Sequence, residues 1–199
     1  MEAFKKHLAK DPKFKPYLKY EIVLPTKKKD ILMKLIGSIL SQQLSVAVAR
    51  VMLKRFLELF GEKFPTAEDI LAVPVPTIKA IGISQRKAEY IHHVAQFIHD
   101  HKITDKKLAK MNDEDIIDTL VQIKGVGRWT VEMLLMFALG REDVFALDDL
   151  GIQKGFQKMY KCEHLAGKEL KAKMMKESEK WSPYRTYACL YLWNFSKWK

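Results

Sequence analysis

Residues 115–135 of the chain read D-I-I-D-T-L-V-Q-I-K-G-V-G-R-W-T-V-E-M-L-L. Apolar residues recur at helical spacing on both sides of Gly125-Val126-Gly127, which predicts a helix, a tight hairpin and a second helix. The second helix would begin with free backbone N–H groups and the positive end of its dipole, an arrangement that can hold a phosphate. Lys124 and Arg128 flank the glycines and would add positive charge without reading bases. Taken alone, a Gly-x-Gly turn is more often an ordinary connection between helices.

The composition describes a basic globular chain. Its 199 residues are 48% hydrophobic, which is enough for a real core. The formal net charge of +11 favours a polyanionic partner such as nucleic acid, although many basic proteins never bind DNA. Cys162 and Cys189 form no C-x-x-C or Cys/His cluster, which argues against a zinc site or an iron–sulfur cluster. Without a signal-like N-terminus or an apolar run of roughly 18 residues, the sequence predicts an intracellular protein that does not enter a membrane.

Helical periodicity runs through most of the chain and alternating strand-like runs are scarce, so we predict an all-α protein. Three helix starts carry recognisable capping residues, namely Thr66, Ser84 and Ser182 with Pro183 after it. Short connections without a Gly/Ser-rich linker predict a single module over residues 1–199. The predicted helices lie near residues 29–42, 45–60, 67–73, 76–81, 84–101, 104–110, 113–123, 128–139, 149–160, 167–180 and 183–197.

A second motif lies downstream of the hairpin, where residues 144–149 read V-F-A-L-D-D and Ile152 follows. Together with L-V-Q-I-K-G-V-G-R-W-T, it resembles the helix-hairpin-helix DNA glycosylase superfamily, and within it the 3-methyladenine DNA glycosylase II family. In that family the second aspartate is catalytic, and it corresponds to Asp149. A carboxylate suits the chemistry, because cleavage of a glycosidic bond develops positive charge on the sugar. Position alone favours a helix cap for Asp149, and the resemblance leaves Asp148 as a structural partner.

The resemblance also bears on the mechanism. Bifunctional members of the superfamily have a lysine at the second position after the hairpin glycine, where it attacks the sugar, and Trp129 occupies that position here. Because an indole supplies no amine nucleophile, we expect hydrolysis to a free base and an abasic site, without lyase activity. Trp129, with Met133 one turn later, would contact the base, since an aromatic face attracts a cationic alkylpurine. Core packing on the second hairpin helix is the alternative for Trp129.

The segment W-S-P-Y-R-T-Y-A over residues 181–188 extends the resemblance towards the C-terminus. Trp181 and Tyr184 would close the base pocket, because aromatic rings offer a stacking face to any base. Packing of the last helix against the core explains the same two residues equally well. Arg185 would contact either a phosphate or a buried carboxylate.

The segment I-L-S-Q-Q-L-S-V-A over residues 39–47 extends the resemblance towards the N-terminus. It resembles the family's helix-turn, whose side chain fills the gap that a flipped nucleotide leaves in the DNA. Gln43 stands where the bacterial family has an apolar wedge, and Leu44 is next to it. Either residue is therefore a candidate plug; the alternatives are a polar helix-end residue for Gln43 and core packing for Leu44.

The resemblance implies two helical lobes with a cleft between them, lined by the hairpin and Asp149. One lobe would span about residues 30–145 and the other residues 1–29 plus 146–199, in a short form without the family's N-terminal β-rich domain. The implied partner is double-stranded DNA containing a damaged base, bound by a monomer. The expected DNA contacts are Gln43, Leu44, Lys124, Gly125, Val126, Gly127, Arg128 and Thr130.

No cofactor is expected for the reaction. The family's hairpin can hold a monovalent cation through backbone carbonyls, which here would be those of Val121, Ile123 and Val126. The function implied is that of a base excision repair glycosylase for alkylated purines of the 3-methyladenine and 7-methylguanine type. Two alternatives are a glycosylase for another damaged or mismatched base and a non-catalytic DNA-binding protein that uses the hairpin alone. Asp149 argues against the second, since phosphate binding gains nothing from a carboxylate there.

Overall fold

A computed structural model describes residues 2–25, 30–195 and 198. Throughout these ranges the regular elements are helical and no β-strand occurs, which confirms the predicted all-α class. None of the helices in the same ranges is long and apolar enough to cross a membrane. In chain order the α-helices are α1 Ala3–Leu8, α2 Ile31–Ser41, α3 Val46–Glu58, α4 Ala67–Ala72, α5 Val75–Lys79, α6 Gln85–Asp100, α7 Asp105–Ala109, α8 Asp113–Leu120, α9 Arg128–Leu134, α10 Leu150–Tyr160, α11 Gly167–Ser178 and α12 Arg185–Asn194.

The chain divides into two compact units. The middle unit is Lys28–Leu134, and the terminal unit joins Met1–Lys27 to Leu135–Lys199. In the middle unit, α2 packs on α3, α6 and α9, while α4 and α5 pack on α6 and α8 packs on α9. The side chains of Leu35, Ile36 and Ile39 on α2 are fully buried, so this apolar helix forms the centre of the unit.

The terminal unit has an aromatic core and uses both ends of the chain. In it, α10 packs on α11 and α12, and α1 packs on a short 3-10 helix, Glu179–Trp181. The sequence does not predict α1, because its lysines obscure the apolar period, yet Phe4 and Leu8 are buried. Phe4 stacks on Tyr187 of α12 with ring centroids 4.1 Å apart. Tertiary packing, more than local propensity, therefore stabilises this short helix.

Two predicted helix starts are confirmed. Thr66 and Asp69 form a reciprocal capping box at α4, and the hydroxyl of Ser84 accepts a hydrogen bond from the backbone N–H of Lys87 at 3.3 Å. Each cap satisfies backbone N–H groups that the first turn of a helix leaves without partners. The local sequence is sufficient to predict these two caps, because the capping partners lie within three residues of each other.

The predicted cap at Ser182 is wrong. Its hydroxyl donates a hydrogen bond to Asp143 at 2.9 Å, and α12 begins only at Arg185. The single helix predicted over 128–139 also differs, because α9 is followed by a π-helical segment, Leu135–Leu139. The N–H of Arg141 then bonds to the carbonyl of Leu135 at 2.9 Å, which closes this wider turn.

Candidate active site and nucleic-acid interface

The hairpin between α8 and α9 has the predicted form, and one of its glycines is sterically required. Gly125 has a φ of 99°, and a Cβ there would lie 2.3 Å from two ring carbons of Tyr90. A Cβ on Gly127 would meet no atom within 4 Å, so steric contacts do not require a glycine at that position. Ile123 and Val126 are buried and anchor the hairpin in the middle unit. The hairpin backbone therefore has a fixed conformation at the surface.

The predicted DNA contacts of the hairpin divide into exposed and buried side chains. Lys124, Gly127 and Arg128 are exposed, as the phosphate-binding prediction requires. Val126 and Thr130 are buried, so they could meet DNA only through backbone groups. The side chain of Thr130 is part of the core of the middle unit and not part of a DNA-binding surface.

Arg128 is already engaged by two carboxylates. Its Nη2 lies 2.8 Å from Glu114 Oε1, its Nη1 lies 3.2 Å from Glu114 Oε2, and its Nε lies 3.2 Å from Glu132 Oε1. The hydrogen bonds that the guanidinium donates to Glu114 raise the pKa of Arg128. Glu114 lies on α8 and Glu132 on α9, so the arginine connects the two helices that carry the hairpin. This geometry supports a bracing role, which the sequence does not reveal.

Trp129 and Gln43, one of the two candidate plug residues, line the same cavity of the middle unit, which has a volume of about 760 Å³. Trp129 is 40% exposed, which excludes simple core packing. Gln43 and Leu44 are both exposed, so the structure leaves both as candidate plugs. Met133 is half-buried, one turn after Trp129.

Asp149 lies in the terminal unit at the start of α10, as predicted. Its Oδ1 accepts a hydrogen bond from the backbone N–H of Ile152 at 2.8 Å and another from the indole N–H of Trp193 at 2.7 Å. The carboxylate therefore caps the helix and has a second donor from α12. Asp148, by contrast, is exposed and pairs with Lys171 at 2.5 Å. The two neighbouring aspartates thus have different surroundings.

Trp193 is a site residue that the sequence analysis misses. Its ring stacks on Phe137 with centroids 6.0 Å apart. A Cβ on Gly151 would lie 2.8 Å from Trp193 Cδ1, and one on Gly155 would lie 2.1 Å from the carbonyl oxygen of Leu192. These glycines, one turn apart on α10, let α12 approach closely enough for the indole to reach Asp149. The Gly-x-x-x-Gly pattern formed by Gly151 and Gly155 could have indicated that another helix packs closely on α10. The pattern does not indicate which helix that is.

The loop that leads to Asp149 is tied to the start of α12. Arg185 binds Asp143 through two hydrogen bonds, from Nε at 2.8 Å and from Nη2 at 2.9 Å. Burial raises the pKa of Asp143, but the hydrogen bonds from Arg185 and Ser182 outweigh it and bring the pKa below its ordinary value. The hydroxyl of Thr186 donates to the carbonyl of Arg141 at 2.7 Å. Of the two alternatives for Arg185, the structure supports the carboxylate.

Trp181 belongs to the core of the terminal unit. It is 0% exposed, and its indole N–H donates to Asp11 Oδ2 at 3.1 Å. Tyr160 donates its hydroxyl to the same carboxylate oxygen at 2.5 Å. The prediction that Trp181 contacts the substrate is therefore wrong, and its alternative, packing in the core, is correct. Tyr184 is half-buried and meets the ring of His7 edge-on at 5.5 Å.

Known proteins resemble the chain along most of its length. Residues 36–183 match the family model described as HhH-GPD superfamily base excision DNA repair protein. The chain is 37% identical to DNA-3-methyladenine glycosylase 1 of Schizosaccharomyces pombe over 172 residues, which cover 85% of this chain and 74% of that protein. It is 35% identical to the putative DNA-3-methyladenine glycosylase YfjP of Bacillus subtilis over 161 residues, which cover 78% of this chain and 55% of that protein.

Two solved structures agree with the family match. The structure of Schizosaccharomyces pombe 3-methyladenine DNA glycosylase Mag1 in complex with abasic DNA superposes with a TM-score of 0.86 at 33% identity, covering 98% of this chain and 97% of that one. The structure of a DNA-3-methyladenine glycosidase from Bacillus halodurans also gives a TM-score of 0.86 at 33% identity, covering 97% of this chain and 88% of that one. The chain therefore belongs to the HhH-GPD superfamily of base excision DNA repair proteins.

Proposed function

We propose that this protein is a monofunctional DNA glycosylase of base excision repair, which acts as a monomer on duplex DNA inside the cell. It flips an alkylated purine out of the duplex and hydrolyses its glycosidic bond. The observation that carries the proposal is the Asp149 carboxylate, held at the start of α10 by the N–H groups of Ile152 and Trp193. Relatives named DNA-3-methyladenine glycosylases support alkylated purines as the substrate class.

Asp149 acts on the bond-breaking step by electrostatics. Departure of the base leaves positive charge on the sugar, and an adjacent anion stabilises that oxocarbenium-like transition state. The two N–H donors fix the direction in which the carboxylate points. The base leaves with the bonding electron pair; a water molecule oriented by the same carboxylate then adds to the sugar carbon and loses a proton, which gives the abasic site.

The flipped base stacks on Trp129. Its exposed indole offers an electron-rich face to a purine that alkylation has made cationic, and Met133 extends the apolar contact. A cationic base is also a good leaving group, so stacking together with a weakened bond provides selectivity. Because residue 129 has no amine, no Schiff base forms there, and the reaction stops at the abasic site.

The hairpin and the turn between α2 and α3 bind the DNA around the lesion. The exposed side chain of Lys124 and the backbone of Gly125-Val126-Gly127 contact phosphate without reading sequence. Gln43 or Leu44 enters the base stack and fills the gap that the flipped nucleotide leaves. Binding to undamaged duplex would therefore be largely electrostatic and weaken with salt.

The hairpin would also hold a monovalent cation, as the family resemblance implies. The donors are the backbone carbonyls of Val121, Ile123 and Val126, and carbonyl oxygens suit such ions. The Ile123 carbonyl also accepts a hydrogen bond from the N–H of Val126 at 2.9 Å, and a carbonyl oxygen has a second lone pair for an ion. The cation would stabilise the hairpin backbone, and the reaction itself requires no cofactor.

Asp149→Asn provides the direct test. The substitution keeps a side chain that can accept the same two hydrogen bonds and removes the charge, so base release should fall by about a hundredfold or more. Affinity for an abasic duplex should change much less, since the hairpin contacts remain. Asp148→Asn, one residue away on the surface, is the matched control and should retain excision. Full excision by Asp149→Asn would refute the assignment.

The substrate class is tested by the panel of bases released. Duplexes containing 3-methyladenine, 7-methylguanine, hypoxanthine, ethenoadenine or 8-oxoguanine are compared under single-turnover conditions, with free base and strand cleavage measured separately. We expect release of the two methylated purines without strand cleavage. Release of 8-oxoguanine alone would favour the glycosylase for another damaged base, and strand cleavage would contradict the monofunctional mechanism.

A further inference from the structure

A lysine from α6 holds the turn between α2 and α3. The ammonium of Lys87 donates hydrogen bonds to the backbone carbonyls of Leu40 at 2.9 Å and Gln42 at 2.7 Å. The last carbonyls of a helix have no partner within the helix, so a cationic donor placed there stabilises its end. Burial lowers the pKa of Lys87, in keeping with an ammonium partly withdrawn from water.

The turn that Lys87 holds has an unfavourable backbone conformation. Gln43 has a φ of 59°, in the left-handed region that residues with a Cβ rarely adopt. The N–H of Leu44 donates to the carbonyl of Ser41 at 3.1 Å and closes the turn. Such a conformation persists when surrounding contacts fix it. Lys87 supplies two of those contacts immediately before Gln43.

The same helix also fixes the hairpin. Tyr90, one turn after Lys87 on α6, packs its ring where a Cβ on Gly125 would lie. The side-chain amide of Gln42 donates to the carbonyl of Gly125 at 3.3 Å. Through Lys87 and Tyr90, α6 therefore contacts both segments that the proposed function brings to DNA, and Gln42 links them directly.

We propose that Lys87 is a positioning residue, whose ammonium holds the Gln42–Leu44 turn in the form that lets the plug side chain enter the DNA stack. The inference rests on the proposed function, because the plug is part of it. Lys87 acts through the backbone at the end of α2 and not through the base. Its loss should therefore impair plug entry while leaving the phosphate contacts of the hairpin.

The first experiment uses the free protein. Lys87→Met keeps the length of the side chain and removes its donors, and Lys106→Met, at an exposed lysine of α7, is the matched control. Amide hydrogen exchange at Leu44, followed by NMR, should become about tenfold faster in Lys87→Met and stay unchanged in the control. The amide of Val131 on α9 should be unchanged in both, which verifies the fold. Unchanged exchange at Leu44 would overturn the proposal.

A conservative variant distinguishes the loss of the two hydrogen bonds from a general loss of structure. Lys87→Arg keeps a cationic donor within reach of the two carbonyls, so Leu44 should exchange as in the wild-type protein. This rescue is expected even if Lys87→Met fails to fold. If the arginine and methionine variants both fold and exchange at the same rate, the hydrogen bonds do not hold the turn and the proposal is overturned.

The second experiment adds DNA with 2-aminopurine beside a stable abasic analogue, so that entry of the plug changes the fluorescence. Lys87→Met should give a smaller change and bind this duplex about tenfold more weakly, while its affinity for undamaged duplex equals that of Lys106→Met. Equal fluorescence changes in the two variants would overturn the proposal. Failure of the wild-type protein to excise any base would count against the proposed function alone, because amide exchange is measured without DNA.

Discussion

The indole N–H of Trp193 donates a hydrogen bond of 2.7 Å to Oδ1 of Asp149, the same oxygen that caps α10 through Ile152. A donor at this position orients the carboxylate before substrate arrives. Preorganised donors of this kind cost no reorganisation during the reaction. Trp193 is therefore the first residue to test after Asp149 itself.

Trp193→Phe should lower the single-turnover rate of base release by about tenfold or more, since a hydrogen bond to a charged group contributes about 1.5–3 kcal/mol. The phenyl ring keeps the stacking on Phe137 and removes only the donor. Trp198→Phe is the matched control, because the Trp198 ring stacks on Tyr20, with centroids 4.9 Å apart. Equal rates in the two variants would show that the indole donor has no catalytic role.

Gly155→Ala should destabilise the protein through the contact between α10 and α12. A Cβ at residue 155 would lie 2.1 Å from the carbonyl oxygen of Leu192. That oxygen belongs to the backbone and, unlike a flexible side chain, cannot rotate out of the contact. Overpacking of this kind costs about 1–3 kcal/mol, which lowers the melting temperature by several degrees. The control is Gly37→Ala within α2, where a Cβ meets no atom within 4 Å and alanine favours the helix. A melting temperature for Gly155→Ala at or above that of the wild type would contradict the close approach.

Lys124→Gln and Arg128→Gln should weaken DNA binding in different ways. Lys124 is exposed and contacts phosphate in the proposed complex, so its loss should reduce the slope of log affinity against log salt by about 1. Arg128 is paired with Glu114 and Glu132, so its loss should disturb the hairpin and leave the slope unchanged. Titrations of undamaged duplex over a series of salt concentrations measure both slopes. A reduced slope for Arg128→Gln would show that the guanidinium leaves its carboxylates for a phosphate.

Asp143→Asn should change how stability depends on pH. The folded protein holds the pKa of Asp143 below its unfolded value, so this carboxylate stabilises the fold above the unfolded pKa and loses that effect as pH falls through the folded pKa. The difference in urea midpoint between wild type and Asp143→Asn should therefore be largest near about pH 6 and shrink below about pH 4. A difference that stays constant down to low pH would contradict the role of the Arg185 pair.

Local patterns predict much of this fold because helices are built from near neighbours in sequence. The helices around the hairpin, the caps at Thr66 and Ser84 and the position of Asp149 at a helix start all depend on residues a few positions apart. A family resemblance, not spacing, then supports the chemical role proposed for Asp149. By itself the aspartate is also a good helix cap, and the structure shows that it is one.

Long-range partners are what local patterns cannot predict. The indole N–H of Trp193 on α12 donates a hydrogen bond to Asp149, and the indole N–H of Trp181 donates one to Asp11, 170 positions earlier in the sequence. Arg128, which is predicted to contact phosphate, likewise pairs with the carboxylates of Glu114 and Glu132, and the sequence analysis does not predict these pairs. In each case an ordinary polar or aromatic residue takes its role from tertiary packing.

The terminal unit joins residues from both ends of the chain, and this sets an order for its assembly during synthesis. Asp11 forms hydrogen bonds with Tyr160 and Trp181, and Phe4 stacks on Tyr187. Tyr160, Trp181 and Tyr187 are translated after the middle unit, so these contacts form only then. Domains fold as their residues emerge, so the middle unit can form while the ribosome is still adding α10 to α12. The surroundings of Asp149 are then completed after the middle unit, and a chain released before residue 149 would contain the hairpin without the carboxylate.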